Sequence, residues 1–357
     1  MMPDQPLVSR VGVLAAEWDC ANGDETFPAA RLGQLRSAGA LAAFRRLAEP
    51  ADVAALRATL RLIGGADLSL GRVFEGHVNA VQLVEAYGDE AQRATLDADL
   101  AAGRVFGVWN TEPSPGMTLR AADGGHLLSG AKCFATGAGH IDRVLITARE
   151  DGGGKQLVLA DVAADRSRAD NRAWAVRGMR GTASGTYDFD GMIVGDAALI
   201  GRTGDYEREP RFSAGAWRFT AVQLGAAEAL LRHWRDHLVS AGKHDNPIQR
   251  VRFGQSVAAV RSAALWVARS ATLAEDGSSD AIAHVLMTRG IVEDAALGAM
   301  EGAARAVGTA SFFEGSRIDR ITRDLGLYLR QPVPDQARDR AAAAWLEQDR
   351  WGTEPWW

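Results

Sequence analysis

The spacing of apolar residues changes period twice along this chain, and that alternation limits the folds open to it. Apolar residues fall at helical spacing in 27–47 and 50–63, and again from Gly71 through Val73, Val81, Leu83 and Val84, with Gly88-Asp89 as a break before the next helix. From Gly103 glycine becomes frequent. Short alternating or fully apolar runs appear at 105–109, 144–147, 157–160 and 187–194, and Gly152-Gly153-Gly154 fits a hairpin loop between two of these strands. After Pro210 the helical period returns, first through Trp217, Ala221, Leu224, Leu231, Trp234 and Leu238, then through Ile282, Val285, Val292, Ala296, Met300, Ala303 and Val307. With 247–273 and 335–347 these stretches predict a bundle of about four antiparallel helices. The expected class is α+β in the order helical, β, helical: an N-terminal helical domain over 1–103, a middle β-domain over 104–208, a C-terminal four-helix bundle over 209–350 and an aromatic tail over 351–357.

Composition narrows the function classes. The chain has 357 residues, beyond the roughly 100–200 of a single domain, and its 47% hydrophobic and 24% charged residues exclude disorder as the main state. A net charge of −5 gives no overall field for nucleic acid, so no nucleic-acid partner is expected. Cys20 and Cys133 alone cannot build a disulfide framework or a Cys-rich zinc site. The N-terminus lacks a signal-peptide core, and no segment approaches the ~20 apolar residues of a membrane span, so a cytoplasmic protein with no membrane span is expected.

No metal set stands out. His233 and His237 lie four apart but lack the glutamate of the helical zinc-protease motif, no Gly-x-Ser-x-Gly elbow occurs, and the Gly152 run precedes a strand where a phosphate loop would precede a helix. Two segments of the β region make sense together. Val108-Trp109-Asn110-Thr111-Glu112-Pro113 ends a strand with a hydroxyl, and Lys132-Cys133-Phe134-Ala135-Thr136-Gly137 ends another with an aromatic ring and a second hydroxyl. A flat heteroaromatic ring needs that combination, since its faces take apolar contact and its rim takes a few fixed hydrogen bonds. A flavin is such a ring.

On these residues the chain resembles the acyl-CoA dehydrogenase family over nearly its whole length. The resemblance implies a helical, β, four-helix-bundle subunit with FAD, or alternatively FMN, held between the β-domain and the bundle. Thr111-Glu112-Pro113 looks like the family's Thr-Glu-Pro, and 132–137 looks like its Lys-x-Trp/Phe-Ile-Thr-Asn with Gly137 in place of Asn. By that match Trp109, Thr111, Phe134 and Thr136 bind the cofactor. Gly178-Met179-Arg180-Gly181-Thr182 and Tyr187-Asp188-Phe189-Asp190 resemble the strand pair that closes the β-domain. Arg250-Val-Arg-Phe253-Gly254 matches an Arg-x-x-Phe-Gly whose Arg reaches the pyrophosphate of a neighbouring subunit's FAD, which implies a homodimer or homotetramer. Gly308-Thr-Ala-Ser311-Phe312, Arg320 and Arg323-Asp324 fit the last helices. Arg261 and Arg305 replace two Gln positions near the far end of the cofactor, and Met117 replaces a serine that would touch phosphate.

The resemblance also implies what is missing. The family's catalytic glutamate falls at Pro332, and the alternative position on the first bundle helix falls at Gly215. Positioned proton transfer is worth about 10²–10⁴ in rate, so an ordinary α-proton base is not available from either place. One reading is a flavin oxidoreductase, acyl-CoA dehydrogenase-like, with a small-molecule or acyl-thioester substrate and another group, Glu75 or Glu301, as base. A second is a two-component flavin monooxygenase using reduced flavin and oxygen, with His77 beside Asn79 as the polar group near the flavin. A third is a flavin-binding or scaffold protein without turnover. The electron-transfer partner or flavin reductase is not readable.

Overall fold

The structure, a computed structural model, describes residues 5–20 and 25–347; the expected aromatic tail lies outside them. Six helices come first: α1 (Leu7–Cys20), α2 (Ala29–Ser37), α3 (Ala40–Ala43), α4 (Pro50–Ala66), α5 (Leu68–Tyr87) and α6 (Glu90–Ala101). Their boundaries follow from the sequence. Pro50 opens α4, where its missing N–H costs nothing, and the Asp52 side chain accepts from Glu49 N at 3.1 Å. The Asp67 carboxylate accepts from Leu70 N at 3.0 Å and starts α5. At the expected break after Gly88, Asp89 and Gln92 cap each other reciprocally at 2.8 and 2.9 Å to start α6.

Ten strands follow: β1 (Phe106–Trp109), β2 (Thr118–Ala122), β3 (Gly125–Ser129), β4 (Ala131–Ala135), β5 (Arg143–Arg149), β6 (Lys155–Asp161), β7 (Ala169–Asp170), β8 (Gly185–Asp188), β9 (Met192–Val194) and β10 (Leu199–Ile200). Seven form one sheet in the order β10-β6-β5-β2-β3-β9 with β1 parallel beside β5, and β4-β8-β7 form a second. The expected hairpin is there, with Arg149 opposite Lys155 across the Gly152 run. The single strand expected over 187–194 is two strands in different sheets. Gly191 at φ 74° and the Asp188 carboxylate, which accepts from Asp190 N at 2.9 Å, turn the chain between them. β2 and β3 escaped the apolar pattern because one face of this hairpin is partly solvated.

Helices resume with α7 (Arg211–Ala214), α8 (Trp217–Ser240), α9 (Pro247–Glu275), α10 (Ala281–Val307), α11 (Arg317–Tyr328) and α12 (Pro334–Glu347). The four expected bundle stretches are α8, α9, α10 and α12, with α10 against the other three. α11 packs across α8 through buried Ile318, Ile321, Leu325 and Tyr328. Trp217 and Trp234 are fully buried on α8. No helix among the described residues is long and apolar enough to cross a membrane.

The N-terminal helices join the bundle where α4 meets α8 backbone to backbone. A Cβ at Gly225 would lie 2.0 Å from Arg61 O, and one at Gly64 would lie 2.2 Å from Val222 O. Only glycine permits that approach. Gly225→Ala is therefore expected to lower unfolding stability by about 1–3 kcal/mol in a urea titration, as overpacking does. Gly33→Ala on α2, where a Cβ would meet nothing within 4 Å, is expected to raise it by about 0.5–1 kcal/mol.

Candidate functional site

β4 and β8 run antiparallel with a register shift between Cys133 and Ala135, and the bulged residue is Phe134 at φ 51°. The bulge turns the Phe134 ring outward. It is 64% exposed, and its only ring neighbour among the described residues is Trp174, edge-on at 6.3 Å. Just past the strand, Thr136 Oγ1 lies 3.1 Å from Ser184 Oγ; Ser184 donates to Thr182 Oγ1 at 2.8 Å, and Thr182 donates to Met179 O at 2.8 Å. Because each hydroxyl in this chain spends its proton on the next, Thr136 donates to Ser184 and keeps its lone pairs for a ligand. Behind them Trp109 is buried and its Nε1 donates to Thr136 O at 2.9 Å.

Thr111 lies alongside, exposed, with its carbonyl accepting from Cys133 N at 3.0 Å. The segment carrying it is held by Lys132, which is fully buried and donates to Glu112 at 2.6 Å, to Asn110 O at 3.1 Å and to Thr147 Oγ1 at 3.3 Å. Burial lowers the Lys132 pKa, and the Glu112 carboxylate opposes that shift. Trp109, Thr111, Phe134 and Thr136 thus share one end of the β4–β8 sheet. Ser184 and Thr182 complete the hydroxyl row. Ser184 was not singled out in the sequence and Thr182 only as part of the 178–182 motif, because only the register places the start of β8 opposite Thr136.

The bundle residues form a second group. Arg250 is exposed in the first turn of α9; Phe253 packs edge-on to Trp234 at 5.1 Å, and the same Trp ring abuts Gly302 on α10. Arg305, one turn further along α10, is exposed and paired with Glu301, and Gly308 ends the helix at φ 75°. Among the described residues no hydrogen bond, ion pair or ring contact links Arg250, Phe253, Arg305 or Gly308 to the β-domain group. Arg261 is likewise exposed on α9, and Met117 is buried in the core, facing no phosphate site.

Several expectations about acid–base groups change. Pro332 is exposed and its carbonyl accepts from Arg289 at 2.6 Å, while Gly215 ends α7. Glu301 is 63% exposed on its side chain and held by Arg305, which makes it a solvated surface charge. Glu75 is buried and accepts from both Arg72 and Asn79. His77 does not face a ligand site. It is fully buried, Phe106 N donates to its Nδ1 at 3.1 Å, and its Nε2 donates to Leu41 O at 2.7 Å, so both ring nitrogens tie α5 to β1 and α3. Burial lowers its pKa to about 4. The described residues contain no group of three or more side chains suited to a metal ion.

No protein-family model matches the chain. It is 26% identical over 304 residues, 77% of each chain, to an acyl-CoA dehydrogenase of Bacillus subtilis (strain 168). It is 26% identical over 322 residues, 78% of this chain and 77% of the relative, to a dibenzothiophene monooxygenase of Rhodococcus erythropolis. TdsC from Paenibacillus sp. A11-2, solved with FMN and indole, superposes with a TM-score of 0.85 at 18% identity over 96% of this chain and 97% of that one. Butyryl-CoA dehydrogenase from Megasphaera elsdenii superposes with a TM-score of 0.81 at 15% identity over 97% and 100%. The order of helices, sheets and bundle is the acyl-CoA dehydrogenase fold, as the sequence led us to expect. The chain thus has the acyl-CoA dehydrogenase-like fold and is similar in sequence both to an acyl-CoA dehydrogenase and to a dibenzothiophene monooxygenase.

The position of His77 has a consequence for stability. With a folded pKa of about 4 against an ordinary 6.5, the unfolded chain binds the extra proton first as pH falls. Stability is therefore whole above about pH 6.5 and declines toward pH 4. His77→Asn is expected to flatten that decline by up to about 1.4 kcal/mol per pH unit, the value of one proton, in urea titrations across the window. An unchanged slope would show that the imidazole titrates freely in the folded protein.

Proposed function

We propose that the chain is a flavin-dependent oxidoreductase whose reaction does not begin with α-proton removal, a flavin monooxygenase acting on a small molecule. What supports this reading is an intact rim-and-face site for a flat heterocycle together with the lack of a carboxylate at Pro332 and Gly215, the two positions where the resemblance would put a base. The residues fit a flavin: Phe134 offers an uncovered ring face, Thr136 an uncommitted acceptor, and Trp109 a rigid support behind both. A bound flavin supplies two-electron redox chemistry and, when reduced, the electrons for oxygen activation. The chain's own residues hold and orient it: the hydroxyl row through Thr182 and Ser184 fixes Thr136, and Lys132 fixes the Thr111 segment. Arg250, Phe253, Arg305 and Gly308 serve the same site in a second copy of the chain. The exposed apolar side chains Ile248, Val251 and Leu265 along α9 support such an interface.

The polarity of the hydroxyl row favours a ligand with a ring N–H toward Thr136. Reduced flavin carries more ring N–H groups than the oxidised form, so wild-type protein is expected to bind reduced FMN more tightly than oxidised FMN under anaerobic titration. Thr136→Val is expected to weaken binding by about 0.5–1.5 kcal/mol, one neutral hydrogen bond, and to narrow that difference. No flavin affinity at micromolar concentration would end the proposal.

The acyl-CoA dehydrogenase relative favours a second reading, dehydrogenation of an acyl thioester. The two separate in a stopped-flow experiment. Oxidised, flavin-loaded protein mixed anaerobically with saturated acyl-CoA thioesters is expected to bleach slowly or not at all. Rapid bleaching would overturn the monooxygenase assignment and require a base not yet located.

A further inference from the structure

One buried polar cluster is left incomplete by the fold. Arg72, Glu75 and Asn79 line one stripe of α5; Arg72 donates to one carboxylate oxygen of Glu75, and the Asn79 amide nitrogen donates to the other. Tyr328, the last residue of α11, is fully buried with its hydroxyl toward Arg72, and Tyr206 lies close to the same ion pair. Three buried polar atoms lack a full set of partners: Arg72 Nε and Asn79 Oδ1 have none, and the Tyr328 hydroxyl, within reach of the Arg72 guanidinium, still has its own proton to donate. Folded proteins leave few such atoms, because each has given up water without a replacement, so three in one cluster mark a place that receives something. The cluster borders solvent at the edges of Arg72 and Asn79, with the unpaired atoms themselves buried behind them. The Arg72 side chain keeps 19% exposure and Asn79 is only partly buried, while Glu75 between them is 2% exposed.

The unpaired atoms define what would fit. Arg72 and Glu75 cancel each other's charge, and burial among them pushes the Tyr328 and Tyr206 hydroxyls up, so both stay neutral donors. A charged occupant would therefore remain uncompensated in a buried site. Two donors, the Arg72 Nε–H and the Tyr328 O–H, stand beside one acceptor, Asn79 Oδ1. Both elements that carry them touch the turn that leads into the hydroxyl row of the candidate flavin site. Ser69 on α5 lies 3.1 Å from where a Cβ on Gly181 would stand, and Asp324 on α11 bonds Met179 N at 2.5 Å.

We propose that Arg72, Asn79 and Tyr328 form the specificity pocket of this protein and select a neutral substrate group with one acceptor oxygen beside one N–H or O–H donor, as in a carboxamide. The carbonyl oxygen accepts from Arg72 and Tyr328, and the N–H donates to Asn79. Calling the occupant a substrate rests on the flavin reading; the binding itself does not.

The test is calorimetric titration of the full chain, as purified and with FMN added, using benzamide, benzoate and toluene as probes. Benzamide is expected to bind at least tenfold more tightly than either. Tyr328→Phe is expected to weaken benzamide about 2- to 12-fold, the worth of one neutral hydrogen bond, without changing toluene binding. The paired replacement Arg72→Met with Glu75→Met removes the ion pair without stranding either charge and is expected to erase the preference for benzamide. Absence of benzamide binding, benzoate binding as tight as benzamide, or a Tyr328→Phe variant that binds benzamide like the wild type would each overturn the proposal. Benzamide selectivity in a protein that takes no flavin would keep the pocket and sink the flavin reading; flavin uptake without selectivity would do the reverse.

Discussion

A single buried carboxylate, Asp324, holds the parts of this molecule in register. Its Oδ1 accepts from Met179 N at 2.5 Å, across the junction between α11 and the turn that leads into β8. Met179 sits in the left-handed region at φ 58°, a conformation that needs outside support in a residue with a side chain. Beside it, a Cβ on Gly178 would stand 2.0 Å from Arg323 O, so the two backbones touch only because that residue is glycine. Met179 O in turn ends the hydroxyl row that sets the direction of Thr136. Burial pushes the Asp324 carboxyl up to about 6 while Arg320 and Arg323 pull against that rise. Arg323 also bonds Asp319, Glu25 and Arg177 O, so the α11 end of this link is tied to the segment before α2 as well.

The sequence made the order of elements legible because helical and strand periods differ and the caps are local. Gly88-Asp89 and the Gly152 run were correct on chemistry that needs only neighbouring residues. Errors arose where tertiary pairing decides. The 187–194 run reads as one strand by residue type, yet the turn at Gly191 sends its halves into different sheets. His77 reads as a free imidazole because nothing local reveals that Leu41 O and Phe106 N claim both ring nitrogens. The aromatic and hydroxyl of 132–137 were visible, whereas Ser184, Thr182 and the cluster of Arg72 with Tyr328 depend on contacts between residues far apart in the chain.

The distribution of carboxylates bears on what chemistry the fold can run. An efficient base needs a carboxylate aimed at the substrate and not already committed. Around the bundle and α5 the acids are engaged: Glu75 by Arg72 and Asn79, Glu293 by Arg330 and Arg338 at 2.9 Å each, and Glu275 by Trp217 at 2.8 Å and Arg218 at 2.6 Å. The loop that carries Pro332 is itself pinned, since Arg289 donates to Gln331 O at 2.8 Å and to Pro332 O at 2.6 Å. Converting Glu75 or Glu275 into a base would leave the largely buried Arg72 or Arg218 without its carboxylate, a larger loss than a surface ion pair would suffer. Glu75, Glu275 and Glu293 are thus committed to their present partners, and none is free to serve as a base.

That commitment of charge links the two halves of the functional argument. Where a typical base would need an uncommitted acid, the α5 cluster has its one buried acid, Glu75, bonded by Arg72 and Asn79, and what it leaves open are donors and acceptors: Arg72 Nε, Asn79 Oδ1 and the Tyr328 hydroxyl. Such groups can bind and orient a neutral molecule but cannot remove a proton from carbon at neutral pH. Their unpaired state is tolerable only if an occupant or solvent completes it, because a buried polar atom without a partner weakens the fold it belongs to. A site built this way discriminates by hydrogen bonding to the substrate and leaves the bond-making to the cofactor, the division of labour expected when reduced flavin and oxygen supply the reactive group.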